Sequence, residues 1–518
     1  MTTLGRTTLT VLIALTSILA LGPSGRALAQ EAYDDTHLET FQQSDLADQA
    51  GAVYGRLRHI EGTLQLRRDD QILSDLVINE PIAPGDVLIT GPGGRAEIQL
   101  ADGSVVMLDS DSELVLQSLS DGTSRIEDTT ILQLPFGAAI VMAEAMDSSE
   151  KRFQIDTDAA SVFLLSDGIF RIDADSTATT VISRRGVAEV MSQEVSTMAR
   201  SGERVTVRGG QIPGEPQIVN TRLTDGFDQW AAERQEALVR EARHDEDEPV
   251  GLPEPVRPYA SELSYYGNWY NNPSYGWVWR PVGLASDWQP YLYGRWTYSP
   301  AGMVWVSYEP WGWAPFHYGR WEFLVGSGWV WIPGHVFSGA YVAWSVSPGY
   351  FGWCPLGYYD RPVSFHFGAH RAPWVYVRGD RLYARRIHTI IVRDTVVLRD
   401  IERRRVVVRG HPRIDPRRVH AAPRLTEELH RTFSGRPQLQ LRDDEPARRM
   451  PFRENERQRL VRLNNRRQPG AAVPRVQREA DAGAGRPGAR QRPVGLPAAE
   501  PSRPAVRRQP DRPVLIRG

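Results

Sequence analysis

Three copies of a Tyr-Gly-x-Trp motif carry the side chains of this chain best suited to recognition chemistry: Tyr266-Gly267-Asn268-Trp269, Tyr293-Gly294-Arg295-Trp296 and Tyr318-Gly319-Arg320-Trp321. They recur at intervals of 27 and 25 residues, and the stretch from Tyr265 to Trp353 holds 13 of the 15 tryptophans. Indole and phenol rings at a surface suit the C–H faces of sugar rings, and Asn or Arg beside them can hydrogen-bond hydroxyls. Trp269, Tyr270, Asn271, Asn272, Trp296 and Trp321 are the candidate ligand-binding residues on that basis. Arg295 and Arg320 directly precede repeat tryptophans. They either stack on neighbouring rings as cation–π pairs or take anionic substituents of a polysaccharide. Alternatively, tryptophan itself is the core: aliphatic side chains are sparse here, and each covered ring buries on the order of 150–250 Å².

Catalytic constellations are scarce. Asp287, Glu309 and Glu322 are the acidic residues within the repeat. Glycosidase carboxylates need not be adjacent in sequence, so these three are the enzyme candidates. Asp109-Ser110-Asp111-Ser112-Glu113 alternates carboxylates but lacks the glycine and distant glutamate of an EF-hand loop, and reads as a solvated turn. His366 and His370 have helical spacing, yet Gly368, Pro362 and Pro373 oppose the helix that would align them on a metal. Cys354, the single cysteine, excludes an intramolecular disulfide and reads as a small buried residue. Nucleophile elbows, phosphate-binding glycine loops and zinc-protease helices do not occur. The expectation is a protein that is not an enzyme and uses neither cofactor nor metal.

The elements that would position these side chains are mostly strands. Each Tyr-Gly-x-Trp copy is followed by a second aromatic run: Gly276-Trp277-Val278-Trp279, Met303-Val304-Trp305-Val306 and Gly328-Trp329-Val330-Trp331. Such a period marks a supersecondary unit that buries its apolar face by stacking on its neighbours. Residues i and i+2 of a strand share a face, so Trp277 with Trp279, Trp311 with Trp313, and Trp329 with Trp331 are expected to form indole ladders. Residues 50–210, with β-branched runs broken by Gly, Asp and Pro every eight to twelve residues, predict an all-β domain. Residues 223–248 predict one helix with Phe227, Trp230, Leu238 and Val239 on its buried face. The proline-punctuated 249–260 reads as a linker, and 261–415 as the aromatic β-repeat domain. That domain is expected to close with strands in His388-Thr389-Ile390-Ile391-Val392-Arg393, Thr395-Val396-Val397-Leu398 and Arg405-Val406-Val407-Val408-Arg409. Residues 430–518, dominated by Pro, Gly, Ala and Arg, predict disorder.

The N-terminus sets the expected compartment. Arg6, the apolar run from Leu9 to Leu21 and Ala27-Leu28-Ala29 before Gln30 have the pattern of a cleaved signal peptide over 1–29. The mature chain is then periplasmic or secreted, and no later segment has membrane-spanning length. The net charge of −2 conceals a division, since residues 371–518 carry 36 Arg against 16 acidic residues. An exported basic tail suits anionic envelope polymers or lipid headgroups better than nucleic acid.

Several motifs within 50–210 resemble the FecR family of exported β domains: Gly85-Asp86-Val87-Leu88-Ile89-Thr90-Gly91, Leu100-Ala101-Asp102-Gly103-Ser104, Leu134-Pro135-Phe136-Gly137 and Phe153-Gln154-Ile155-Asp156-Thr157. Gly168-Ile169-Phe170-Arg171-Ile172 and Arg185-Gly186-Val187-Ala188-Glu189-Val190 continue the likeness. The resemblance implies the fold; in the family's regulatory members a cytoplasmic segment contacts a sigma factor and a membrane helix joins it to this domain, and the predicted signal peptide stands in place of both. The complete arrangement resembles a family of exported bacterial proteins known by these features alone, which implies an envelope address and brings no catalytic residues. The combined expectation is a mainly β envelope protein. Its aromatic repeats bind peptidoglycan, another polysaccharide or a protein partner, and its FecR-like domain is a scaffold. A purely structural protein, a FecR-type signalling component and a polysaccharide-acting enzyme are the alternatives.

Overall fold

The computed structural model describes residues 53–120, 129–144, 152–221, 225–242, 249–299, 302–363, 373–408, 414 and 416–434. The predicted signal peptide, the His366/His370 pair and residues 435–518 lie outside the described residues.

The fold is mainly β, as the alternation predicts. From Gly55 to Ile218 the short β-branched runs form two sheets that share one long strand, Thr129–Ala143. Residues 129–136 of that strand pair with Glu113–Ser118 and, in parallel, with Arg152–Asp156. Residues 137–143 pair in the other sheet, with Val105–Leu108 and Gly168–Ala174. Gly137 makes the crossing: its φ is +101°, and a Cβ there would lie 2.1 Å from the Ser112 hydroxyl oxygen. The core between the sheets is aliphatic, with Leu57, Leu88, Leu132, Ile155, Val181 and Val190 buried.

A helix, Gly226–Ala242, lies on the outside of one sheet. Phe227, Trp230 and Ala231 cover Val105, Met107 and Ile140, with Leu238 beside them. Val239, assigned to the same face from spacing, is instead exposed. The segment 249–260 is no linker. A 3-10 turn, Glu254–Tyr259, runs into the helix Ala260–Tyr266, and Val256, Tyr259, Ala260 and Leu263 enter the aromatic core. Proline in a first helical turn removes an N–H that has no partner there anyway, so Pro255 is compatible with the turn.

The aromatic region contains four hairpins among the described residues. The first is Gly267–Asn272 with Gly276–Pro281; the second, Gly294–Ser299 with Gly302–Ser307; the third, Gly319–Leu324 with Gly328–Pro333; the fourth, Val342–Ser347 with Tyr350–Pro355. Each sets one tryptophan directly opposite another: Trp269/Trp279, Trp296/Trp305, Trp321/Trp331 and Trp344/Trp353. The motif glycine makes room for this pair. A Cβ on Gly267 would fall 2.5 Å from the Trp279 ring, and one on Gly294 2.6 Å from the Trp305 ring. The first and third hairpins join edge to edge through Trp279 and Trp331 into a four-stranded sheet. The second and fourth meet through their indoles, with the Trp296 centroid 4.6 Å from Trp344 and 5.5 Å from Trp353.

Two strand expectations fail. Trp311 and Trp313 are buried, but Trp313 opens a short helix, Trp313–His317, where Gly312 and Pro315 interrupt any strand. The β-branched C-terminal runs form the helices Ile387–Ile390 and Thr395–Arg404, leaving Val406–Val408 as the strand. Asp394 caps the second helix by accepting from the N–H groups of Val396 at 2.7 Å and Val397 at 3.2 Å. Residues 430–434, assigned to the disordered tail, belong to the helix Ala422–Ser434.

The two β regions interlock through buried polar groups. Arg56 donates to Gln99 at 2.7 Å and to Asn79 at 3.0 Å, and reaches across to Glu262 at 2.5 Å. Asn79 in turn donates to the Glu309 carbonyl at 2.8 Å. Tyr54, from the first β region, stacks on Phe337 at 4.9 Å and is part of the aromatic core.

Candidate ligand-binding surface

The packing of the four hairpins decides which of the candidate residues meets solvent. Trp296 and Trp321 do not. They are 1% and 0% exposed, and the Trp321 Nε1–H donates to the Pro315 carbonyl at 2.9 Å. A ring enclosed in this way has no face to offer a ligand, so both are corrected from binding residues to core.

The two arginines are likewise held by protein groups. Arg295 donates to the carboxylate of Glu80 and to the Asp75 carbonyl at 3.4 Å, tying the second hairpin to the first β region. Among the described residues its guanidinium is not found over an aromatic ring. Glu80 is completely buried, and desolvation pushes its carboxyl above the usual range although Arg295 and Arg68 pull it down. Arg320 lies 3.7 Å above the Tyr341 ring and pairs with Asp360 at 2.5 Å, so the cation–π arrangement holds here.

The enzyme candidates are separately occupied. Glu309 accepts from the Ser307 hydroxyl and from Trp288 Nε1 at 2.7 Å. Glu322 accepts from the backbone N–H groups of Tyr358 at 3.2 Å and Phe323 at 3.3 Å. Burial raises both carboxyls above their ordinary range. Asp287 is exposed. Among the described residues no group of three or more His, Cys, Asp or Glu could hold a metal ion, and no helix is long and apolar enough to cross a membrane.

The first hairpin differs from the others. Asn271 stands directly opposite Trp277, and both are exposed, the indole at 36%. Trp269 shares their face of the strand and is half-buried, its Nε1–H donating to Ser264 Oγ at 3.2 Å. Tyr270 and Asn272 point to the opposite face of the sheet, Tyr270 being exposed and Asn272 half-buried. The structure therefore brings Trp269 and Asn271 together with Trp277 and separates Tyr270 and Asn272 from them.

Trp277 is the exposed indole that motif reading did not single out as a candidate. The matching position of the third hairpin explains its exposure: there Phe323 stands opposite Trp329, meets it edge-on at 5.5 Å and leaves it 8% exposed. Asn271 replaces that covering ring with a short amide. A comparison of the Gly-Trp-Val-Trp copies and their cross-strand partners carries this signal in the sequence.

Comparison with known proteins agrees with the two-part construction. Residues 86–189 match the family described as FecR protein, and residues 260–360 match a family of unknown function, DUF6600. Two crystal structures of a candidate anti-sigma factor from Parabacteroides distasonis ATCC 8503 are 23% and 22% identical over 26% of this chain, with TM-scores of 0.21. The chain spans 59% of the length of each of those chains. No curated protein matches. The chain thus carries a FecR domain, residues 86–189, followed by a DUF6600 domain, residues 260–360.

Proposed function

We propose that this is an exported, non-enzymatic binding protein of the cell envelope whose first aromatic hairpin captures a glycan, with the FecR domain as its scaffold. The supporting observation is the exposed indole of Trp277 directly opposite the exposed amide of Asn271. A flat aromatic face flanked by a donor and an acceptor fits a pyranose ring, whose C–H face is apolar and whose rim is hydroxylated. A neutral sugar is favoured because Gly267–Asn272 contains no ionisable side chain apart from the phenol of Tyr270, and Arg280 of the paired strand lies on the face opposite to Trp277. Export is supported by the N-terminal pattern of Arg6, the apolar run and Ala27-Leu28-Ala29.

The test is retention of the full chain on peptidoglycan and on a panel of insoluble and soluble polysaccharides, followed by tryptophan fluorescence titration of any hit. Saturable binding with a fluorescence shift is expected, and Trp277→Ala should weaken it about tenfold, equivalent to roughly 1.4 kcal/mol, while costing less than about 1 kcal/mol in stability. Failure to bind any glycan, or unchanged affinity in both Trp277→Ala and Asn271→Ala, would overturn this reading. The FecR match favours protein–protein signalling as the second reading.

A further inference from the structure

The four-stranded sheet has two outer edges, one on the third hairpin and one on the first. Along the third, the Trp321 N–H donates to the Leu356 carbonyl at 3.2 Å, so an extended segment covers that edge. The register makes Trp269 the counterpart of Trp321. Each stands opposite a tryptophan and two residues after a glycine that faces a proline, and the two hairpins meet through those opposite tryptophans.

The Val282 N–H donates to the Tyr266 carbonyl at 3.1 Å, so the next pair along the antiparallel ladder, Gly267 with Pro281, is one without ladder hydrogen bonds. Alternation along an antiparallel ladder gives the same status to Trp269/Trp279 and Asn271/Trp277. The N–H and C=O groups of Trp269 and Asn271 therefore point away from the hairpin to the sheet edge. Among the described residues none of these four groups has a backbone partner.

Within the strand, this edge lacks the charge, proline and bulge that guard against pairing. Gly-Asn-Trp-Tyr-Asn-Asn contains no charge and no proline, and its six pairs run without a register shift. Tyr265, Tyr270 and Trp277 are exposed around it, an aromatic, charge-poor composition of the kind found in interface cores.

We propose that Gly267–Asn272 pairs antiparallel with its own copy in a second chain, merging two four-stranded sheets into one across a two-fold axis. A second copy is the occupant for two reasons. An uncharged strand meets its copy without setting like charges opposite each other, and edge-to-edge joining of this same repeat already builds the sheet through Trp279 and Trp331. With the axis normal to the sheet, both copies of Trp277 and Asn271 lie on one side. The pairing does not depend on the glycan reading, because it uses the backbone edge rather than the ring faces.

Sedimentation velocity of the full chain across a dilution series tests it, alongside Tyr270→Lys and Asn271→Pro. The wild type should sediment as a dimer that dissociates on dilution. Tyr270→Lys, which places a charge on the edge, and Asn271→Pro, which deletes an outward N–H, should each raise the dimer Kd at least about tenfold. A wild type that stays monomeric up to about 100 µM, a modest affinity for a pairing of this size, overturns the proposal; so does a dimer that neither substitution weakens. If Asn271→Pro unfolds, Tyr270→Lys carries the test alone, since its ring is exposed. Glycan capture by a strictly monomeric chain would sink the dimer while leaving the proposed function intact.

Discussion

At the scale of single residues, two positions show how closely this domain depends on space and desolvation. Gly294 lies where a Cβ would sit 2.4 Å from the Val306 carbonyl oxygen and 2.6 Å from the Trp305 ring. Gly294→Ala must therefore move backbone or indole. A loss of about 1–3 kcal/mol is expected in urea unfolding, the usual range for overpacking. His317 is buried between Trp313 and Phe337, with Nδ1 2.9 Å from the Ser338 carbonyl. Desolvation pushes its pKa down to about 4 from 6.5. An unfolded histidine takes up a proton at a pH where the folded one does not. The stability that His317 contributes in its neutral form is thus complete above pH 6.5 and lost as pH falls toward 4, to a total on the order of 3 kcal/mol. Denaturation midpoints followed from pH 7 to 4 should decline across this window in the wild type, and His317→Gln should flatten that decline even if it is less stable overall.

At the scale of elements, the repeat is a hairpin with a tryptophan pair at its centre, and its four copies use that pair differently. The second and fourth bury theirs against each other, while the first and third join strand to strand. Substitutions separate these roles. Trp296→Ala and Trp321→Ala remove fully buried indoles and should cost about 3–5 kcal/mol in chemical denaturation. Trp277→Ala removes an exposed ring and should cost less than about 1 kcal/mol. Equal costs at all three positions would mean that the first hairpin is covered in solution. The fourth copy, Tyr341-Val342-Ala343-Trp344, keeps the spacing but has Val342 in place of the glycine, so motif matching passes over it and the strand register reveals it.

At the scale of the molecule, the first β region, Gly55–Ile218, and the aromatic region are joined by charges that neither could bury alone. Arg56 is 1% exposed and Glu262 7%, and each is the ionic partner of the other across the junction. Removing one partner strands the other away from water, a loss of about 3–5 kcal/mol. Glu262→Ala should therefore lower the calorimetric transition steeply, and the double variant Glu262→Ala with Arg56→Met should recover part of it. Residues 53–434 are expected to unfold in one transition in the wild type. Two well-separated transitions would show that the junction contributes little.

Much of the strand content and the hairpin repeat was legible in the sequence because both are set by local pattern. Alternation of side chains at i and i+2, turn glycines and the recurring Tyr-Gly-x-Trp are properties of a few neighbouring residues. The same local reasoning failed around Thr395, where β-branched residues form a helix because Asp394 caps it and the fold covers Ile401. What meets solvent was decided by the tertiary structure. Trp321 and Trp277 are both tryptophans on strands of one repeat, yet one is core and the other surface, according to what distant chain packs over them. Arg295 and Glu80 are 215 residues apart in sequence, so no local pattern announces their pairing. Burial is a sum over contacts brought together by folding, whereas periodicity is carried by the chain itself.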